Sequence, residues 1–221
     1  MSVRPAAGVL KLYGYYRSSA AYRVRIALNL KALDYEPVSV HLLRGEQSSS
    51  AYRALNPQGR VPALVDGERV LTQSLAIVEY LDERFPAPPL LPATPAERSR
   101  VRALAQIVAC DTHPVNNLSV LNYLTGTLGI DEAQKQEWIR HWIARGLRSF
   151  EDMLAVDPTD GAFCHGTRPT LADCCLIPQL FNARRFGCPL DDFPTLLRIE
   201  AACAALPAFQ CAAPERQPDA E

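Results

Sequence analysis

Residues 11–30, KLYGYYRSSAAYRVRIALNL, read as a short strand, a turn and a helix. Leu10, Leu12 and Tyr13 make an apolar, β-prone run. Tyr15, Tyr16 and Arg17 cross the turn, and Ser18 or Ser19 suits the N-cap of the helix. Val24, Ile26, Ala27, Leu28 and Leu30 supply the helix's buried side, and Arg23 and Arg25 fit a solvent-facing side. The first N–H groups of a helix are unpaired and its dipole end is positive, so an anion placed there is stabilised. If the anion is a thiolate, a serine hydroxyl can donate to it and lower its pKa. On these residues alone, plain capping and thiolate stabilisation both stand.

Residues 34–43, DYEPVSVHLL, alternate enough for a second strand over Val38 to Leu42, which completes a βαβ unit. Ser48 to Leu55 suits a short helix closed by Asn56-Pro57. Arg60 to Val65 is a strand with a proline near its start, Asp66-Gly67 a hairpin turn, and Val70-Leu71 the return strand. Gln73-Ser74 opens a third helix with Leu75, Val78 and Leu81 on one face. The order βαβ, helix, ββα predicts an α/β sandwich of thioredoxin type. The Pro-rich stretch 84–97, RFPAPPLLPATPAE, reads as a linker ending in a helix start at Thr94-Pro95-Ala96-Glu97. Beyond it the pattern is helical, over 95–124, 131–154, 171–183 and 195–204, with a short piece near 207–212. Thr170-Leu171-Ala172-Asp173 is a second capping box. The expected organisation is a thioredoxin-like domain over 9–87, a linker over 88–94, an all-α domain over 95–213 and a flexible tail over 214–221.

A net charge of −1 gives no basic footprint for nucleic acid or an anionic membrane. No apolar run approaches the roughly 20 residues that span a bilayer. The start, MSVRPAAGVLKL, lacks the apolar core of a signal peptide. The seven cysteines are odd in number and form no CxxC pair, which fits a reducing cytoplasm better than a disulfide framework. Cys174-Cys175 reads as small apolar filling of a buried helix, and no metal site is expected.

RSSAAYRVRIAL at 17–28, NPQGRVPAL at 56–64 and QSLAIVEYL at 73–81 together resemble the thioredoxin-like domain of glutathione transferases. The zeta class, which includes maleylacetoacetate isomerase, and the related maleylpyruvate isomerases are similar from about Lys11 to Asp219. One departure stands out: Ser18-Ser19-Ala20 occupies the place of the zeta Ser-Ser-Cys. The resemblance implies reduced glutathione as cofactor, with Ser18 and Ser19 at its thiolate. It implies a cis bond at Val61-Pro62, with the Val61 backbone pairing with the cysteinyl unit. It puts Gln73 and Ser74 at the γ-glutamyl carboxylate and Gln47 near the glycyl end. Read without it, these are helix caps and a loop glutamine.

The run CDTHPVNNLSVLNYL at 110–124 is inconsistent with an uninterrupted helix, because proline removes a hydrogen bond and two asparagines weaken the turn. Such breaks tend to mark function. The run looks like the HPINN segment of maleylpyruvate isomerases, which implies that His113 and Asn117 face glutathione and substrate. Arg17, Arg184 and Arg185 are the candidates for substrate carboxylates, since Arg pairs with a carboxylate through two parallel hydrogen bonds. For Arg184 and Arg185 the structural alternative is a solvated helix end.

The implied activity is cis–trans isomerisation of a small dicarboxylic diketo acid, maleylacetoacetate or maleylpyruvate, by a homodimer. Two other readings remain: a transferase conjugating small electrophiles such as halo-acids, and a non-catalytic glutathione-binding interaction protein.

Overall fold

The structure is a computed structural model and describes residues 9–221. Most of the stretch read for a signal peptide lies outside the described residues. Two compact units form: one runs up to Leu90 and takes in Leu206–Glu221, the other spans Leu91–Ala205.

In the first unit, β1 (Leu10–Gly14), α1 (Ser19–Leu30) and β2 (Tyr35–Ser39) make the βαβ element. A short α2 (Ser50–Leu55) precedes the hairpin of β3 (Ala63–Asp66) and β4 (Arg69–Thr72), and α3 (Ser74–Arg84) closes the pattern. The sheet order is β2-β1-β3-β4, with β1 parallel to β2 and antiparallel to β3, and β3 antiparallel to β4. This is the expected thioredoxin-like arrangement. Gly67 at φ +61° supplies the left-handed position that the hairpin needs. Buried Lys31 at the end of α1 donates to Asp82 Oδ1 (2.8 Å) and to the carbonyls of Phe85 (2.7 Å) and Pro88 (2.8 Å). A buried charge with three acceptors is satisfied, so it fastens the Pro-rich stretch after α3.

Several local expectations are corrected. The second strand covers Tyr35–Ser39 rather than Val38 to Leu42. It is an edge strand, where the missing N–H of Pro37 is tolerated, and His41 caps a 3-10 turn instead. Arg23 and Arg25 do not face solvent: they are 2% and 4% exposed. The tail after Ala213 is not loose: Pro214–Arg216 form a 3-10 turn, Gln217 Nε2 donates to the Ala213 carbonyl (2.8 Å), and Asp219 accepts from the backbone of Tyr16.

In the second unit, α4 (Pro95–Gln106) gives way to a π-helical stretch, Ile107–Thr112, then to a 3-10 turn at Pro114–Asn116 and to α5 (Leu118–Gly126). The single helix expected over 95–124 is thus broken, as the residues His113-Pro114 and Asn116-Asn117 lead one to anticipate. Then follow α6 (Glu132–Val156), α7 (Leu171–Arg185) and α8 (Pro194–Ala204), while α9 (Pro207–Ala212) returns to the first unit against α1. Gly146 on α6 allows the π-helical stretch to approach: a Cβ there would sit 2.0 Å from Thr112 Oγ1. Cys174 and Cys175 are fully buried on α7, as expected.

Candidate active site

Ser18 is the N-cap of α1, extended at φ −67°, ψ 114°. Its N–H donates to the Tyr15 carbonyl (2.9 Å) and its Oγ accepts from the Ala21 N–H (3.2 Å). Because the oxygen accepts, the hydroxyl proton is available to an anion in front of the helix. Ser19 is the first helical residue and is buried at 7% exposure, so Ser18 is the better placed of the two hydroxyls. Arg17 lies half-buried beside it. Its Nη2 donates to Tyr15 Oη (2.9 Å) and its guanidinium carbon sits 5.1 Å from the centre of the Tyr16 ring. The Tyr15 bond raises the Arg17 pKa further, so the group is permanently cationic.

The sheet register sets Tyr13 opposite Ala63, which brings the end of β1 beside the start of β3. The Val61-Pro62 bond just before β3 is cis. Buried Asn56 shapes this loop: its Oδ1 accepts from the Gln58 N–H (3.1 Å) and its Nδ2 donates to the Arg60 carbonyl (2.7 Å). Tyr52 Oη donates to the same carbonyl (2.7 Å), and burial pushes that phenol up to about 12, so it stays a donor. With the Arg60 carbonyl fixed, the next peptide is displayed. No hydrogen bond engages the Val61 backbone among the described residues, which leaves a donor and an acceptor for an extended peptide.

Gln73 caps α3 at φ +67°, ψ 114°, a conformation that costs a non-glycine residue on the order of 1–3 kcal/mol. Its Nε2 donates to Gln58 Oε1 (3.0 Å), tying it to the same loop. Ser74, the first residue of α3, accepts from Arg23 Nη1 (3.1 Å). Arg23 thus puts a buried cation behind a helix N-terminus, and both favour a carboxylate. Sequence reasoning missed Arg23 because the helical period alone assigned it to solvent. Gln47 sits in a 3-10 turn with its side-chain oxygen buried and without a partner among the described residues. Such an orphan acceptor is costly unless a ligand or water meets it. The Gln47 carbonyl packs where a Cβ on Gly59 would lie, at 3.0 Å, and Gly59 is left-handed at φ +60°.

A tripeptide with a carboxylate at each end fits these features: an unpaired backbone edge, two helix N-termini, a buried cation and an orphan acceptor. Arg17, Ser18, Ser19, Gln47, Val61, Pro62, Gln73 and Ser74 all belong to this unit.

The remaining candidates lie in the second unit. His113 ends the π-helical stretch, its N–H donating to the Val108 carbonyl (2.9 Å). Asn117 caps α5: its Oδ1 accepts from the Val120 N–H (3.1 Å) and Ser119 Oγ (2.6 Å), and its Nδ2 donates to the Pro114 carbonyl (2.6 Å). Its carboxamide is thus used largely on the turn itself. Trp138 Nε1 donates to the Val115 carbonyl (3.0 Å), a further anchor for the turn that sequence reading did not find. Arg184 and Arg185 are both exposed at the end of α7, where Arg184 Nη2 pairs with Glu200 Oε2 (2.6 Å). None of the seven cysteines forms a disulfide, and only Cys110 and Cys211 are exposed. No cluster of metal-binding side chains and no helix long and apolar enough to cross a membrane occurs among the described residues.

Residues 12–89 match the family model of the glutathione S-transferase N-terminal domain. The probable maleylacetoacetate isomerase of Vibrio cholerae is 54% identical over 213 residues, covering 96% of this chain and 98% of its own. The structure is also similar to the holo structure of a maleylpyruvate isomerase described as a bacterial zeta-class glutathione S-transferase. The TM-score is 0.94 at 51% identity, over 96% of this chain and 100% of the other. The maleylacetoacetate isomerase of Anaeromyxobacter dehalogenans, solved with dicarboxyethyl glutathione and citrate in its active site, matches with a TM-score of 0.87. Identity there is 48%, over 96% of this chain and 98% of the other.

Proposed function

This chain belongs to the zeta class of glutathione transferases, and from that premise we propose that it isomerises a maleyl-diketo acid, maleylacetoacetate or maleylpyruvate, to the fumaryl form in aromatic-compound breakdown. The observation that carries the reading is the Ser18 hydroxyl, capped onto α1 yet free to donate, beside the guanidinium of Arg17. Glutathione, when bound, would supply a nucleophilic thiolate toward the cis double bond and would be regenerated, so none would be consumed.

The residues of the chain do the rest. Ser18 donates to the sulfur, and the N–H groups at the start of α1 favour its negative charge. The Val61 backbone pairs with the cysteinyl unit, and Gln73 and Ser74, backed by Arg23, hold the γ-glutamyl carboxylate. Gln47 meets the glycyl end. Arg17 takes a substrate carboxylate and steadies charge as it moves onto the diketo oxygen. Arg184 and Arg185 are the proposed partners of the second carboxylate; Arg184 Nη2 is paired with Glu200, and the Arg185 guanidinium lies over the Phe186 ring. The zeta resemblance further implies a role for His113 toward cofactor and substrate, and Asn117 shapes its turn. The dicarboxyethyl glutathione held by the Anaeromyxobacter relative has the charge pattern that this reading requires, a sulfur substituent with two carboxylates.

The test is turnover of both maleyl substrates by purified protein, with glutathione measured before and after. Fumaryl product without loss of glutathione is expected, and stoichiometric consumption would favour the conjugating alternative. Ser18→Ala should lower kcat far more than it raises the KM for glutathione, because other groups hold the peptide. A variant changed only in KM would remove Ser18 from the chemistry. The enzyme is further proposed to work as a cytoplasmic two-fold homodimer. A monomer mass at micromolar concentration, or recovery outside the cytoplasmic fraction, would contradict this.

A further inference from the structure

The reacting turn, Tyr15 to Ser18, is fixed by residues from the far end of the chain. The Tyr16 carbonyl accepts from Arg25 Nη2 (3.0 Å), and Arg25 Nε donates to the Ala212 carbonyl at the end of α9 (2.9 Å). Burial lowers this guanidinium to about 10, so it remains charged at neutral pH. On the other side of the same residue, the Tyr16 N–H donates to Asp219 Oδ2 (3.1 Å), and Ser39 Oγ donates to the same oxygen (3.1 Å). Glu221 Oε1 adds contacts to His41 Nε2 (3.2 Å) and Arg44 Nη2 (3.1 Å). Under the strap lies a cavity of about 30 Å³ lined by Tyr16, Arg25, Tyr35, Ser39 and Asp219. That is space for a water and too little for a ligand.

Tyr16 is therefore held at its carbonyl and at its N–H, two residues before Ser18. A short turn has few free dihedrals, so clamping one residue restricts those beside it. Asp219 lies some two hundred positions from the turn, too far for local sequence to explain the contact. We propose that Asp219 is a positioning residue: its carboxylate, bonded to the Tyr16 N–H, keeps the turn where the Ser18 hydroxyl meets the glutathione sulfur. The proposal rests on the reading of Ser18 as the thiolate's donor, and it adds the C-terminal strap to the working parts of the site.

The experiment compares the full chain with Asp219→Ala and Asp219→Asn. Titration of the thiolate absorbance of bound glutathione, without substrate, reads the sulfur's pKa directly. Asp219→Ala should raise that pKa by about one unit and lower kcat about tenfold, while the KM for glutathione stays within about threefold. Asp219→Asn should stay within about threefold of the parent in kcat, because its carboxamide oxygen still accepts from the Tyr16 N–H. An alanine variant with unchanged thiol pKa and kcat would overturn the proposal. So would one that loses melting temperature, glutathione affinity and turnover together, or an asparagine variant as impaired as alanine. If the parent turns over neither maleyl acid but the thiol pKa shifts as stated, the proposed reaction fails and the positioning role stands.

Discussion

Replacing Arg17 with alanine is expected to suppress isomerisation by about thirtyfold or more and to leave conjugation of a neutral aromatic electrophile within a few-fold. Conjugation needs bound glutathione, a stabilised thiolate and an apolar pocket. Isomerisation must also hold a dianion while its new single bond turns. Removing one partner of a desolvated charge pair costs on the order of 2–5 kcal/mol, and 1.4 kcal/mol is tenfold. Arg17 is prepared for this work: one N–H is tied to Tyr15 Oη, its face lies on Tyr16, and the rest of its five donors remain for a carboxylate. Arg17→Lys should recover only part of the rate, because an ammonium gives charge without the two-pronged geometry. Parallel rate measurements with both substrates decide the matter. Equal losses in the two assays would make Arg17 a support of the turn or of glutathione, and the dianion argument would fail.

What the sequence disclosed about this site was local. The cap at Ser18, the helix start at Gln73-Ser74 and the proline before β3 are written in adjacent residues, and the structure forms a cap, a helix start and a cis bond at those places. The helix break after Thr112 was also legible, because Pro114 has no N–H to give. What the π-helical stretch before it does could not be read, since it depends on Gly146 clearing space for Thr112 from another helix.

The illegible part came from distance along the chain. Arg23 and Arg25 recur where a solvent face belongs, and nothing near them announces a cover. Arg23 is instead claimed by Ser74, 51 positions on, and Arg25 by the Ala212 carbonyl, 187 positions on. Once α3 and α9 lie against α1, both arginines are buried with partners, and a buried charge with partners is stable where a bare one is not. The slip of β2 has a similar origin. Pro37 argues against a strand unless that strand is at an edge, and edge position is a property of the whole sheet.

The largest stability effect should come from Asp173, at the start of α7. The sequence marked it as half of a capping box with Thr170, worth about 1 kcal/mol as a cap alone. The structure gives it more. Its Oδ2 accepts from the Thr170 N–H (2.8 Å) and Thr170 Oγ (2.9 Å), and its Oδ1 accepts from the Cys164 N–H (2.9 Å), with the Cys203 thiol at 4.0 Å. The side chain is fully buried, so it joins the loop before α7, the helix start and α8 through one carboxylate. Asp173→Ala strands the Cys164 and Thr170 donors away from water. Each of the two stranded N–H groups costs about 1–3 kcal/mol, which makes a total of about 2–6 kcal/mol. For a chain of this size the melting temperature should fall by roughly 10 °C. Asp173→Asn keeps one accepting oxygen and turns an N–H toward a donor at the other, so about half the loss should remain. Urea unfolding of the three proteins reads both numbers. An alanine variant within 1 kcal/mol of the parent would mean that water replaces the carboxylate, and that α7 is started by Thr170 without it.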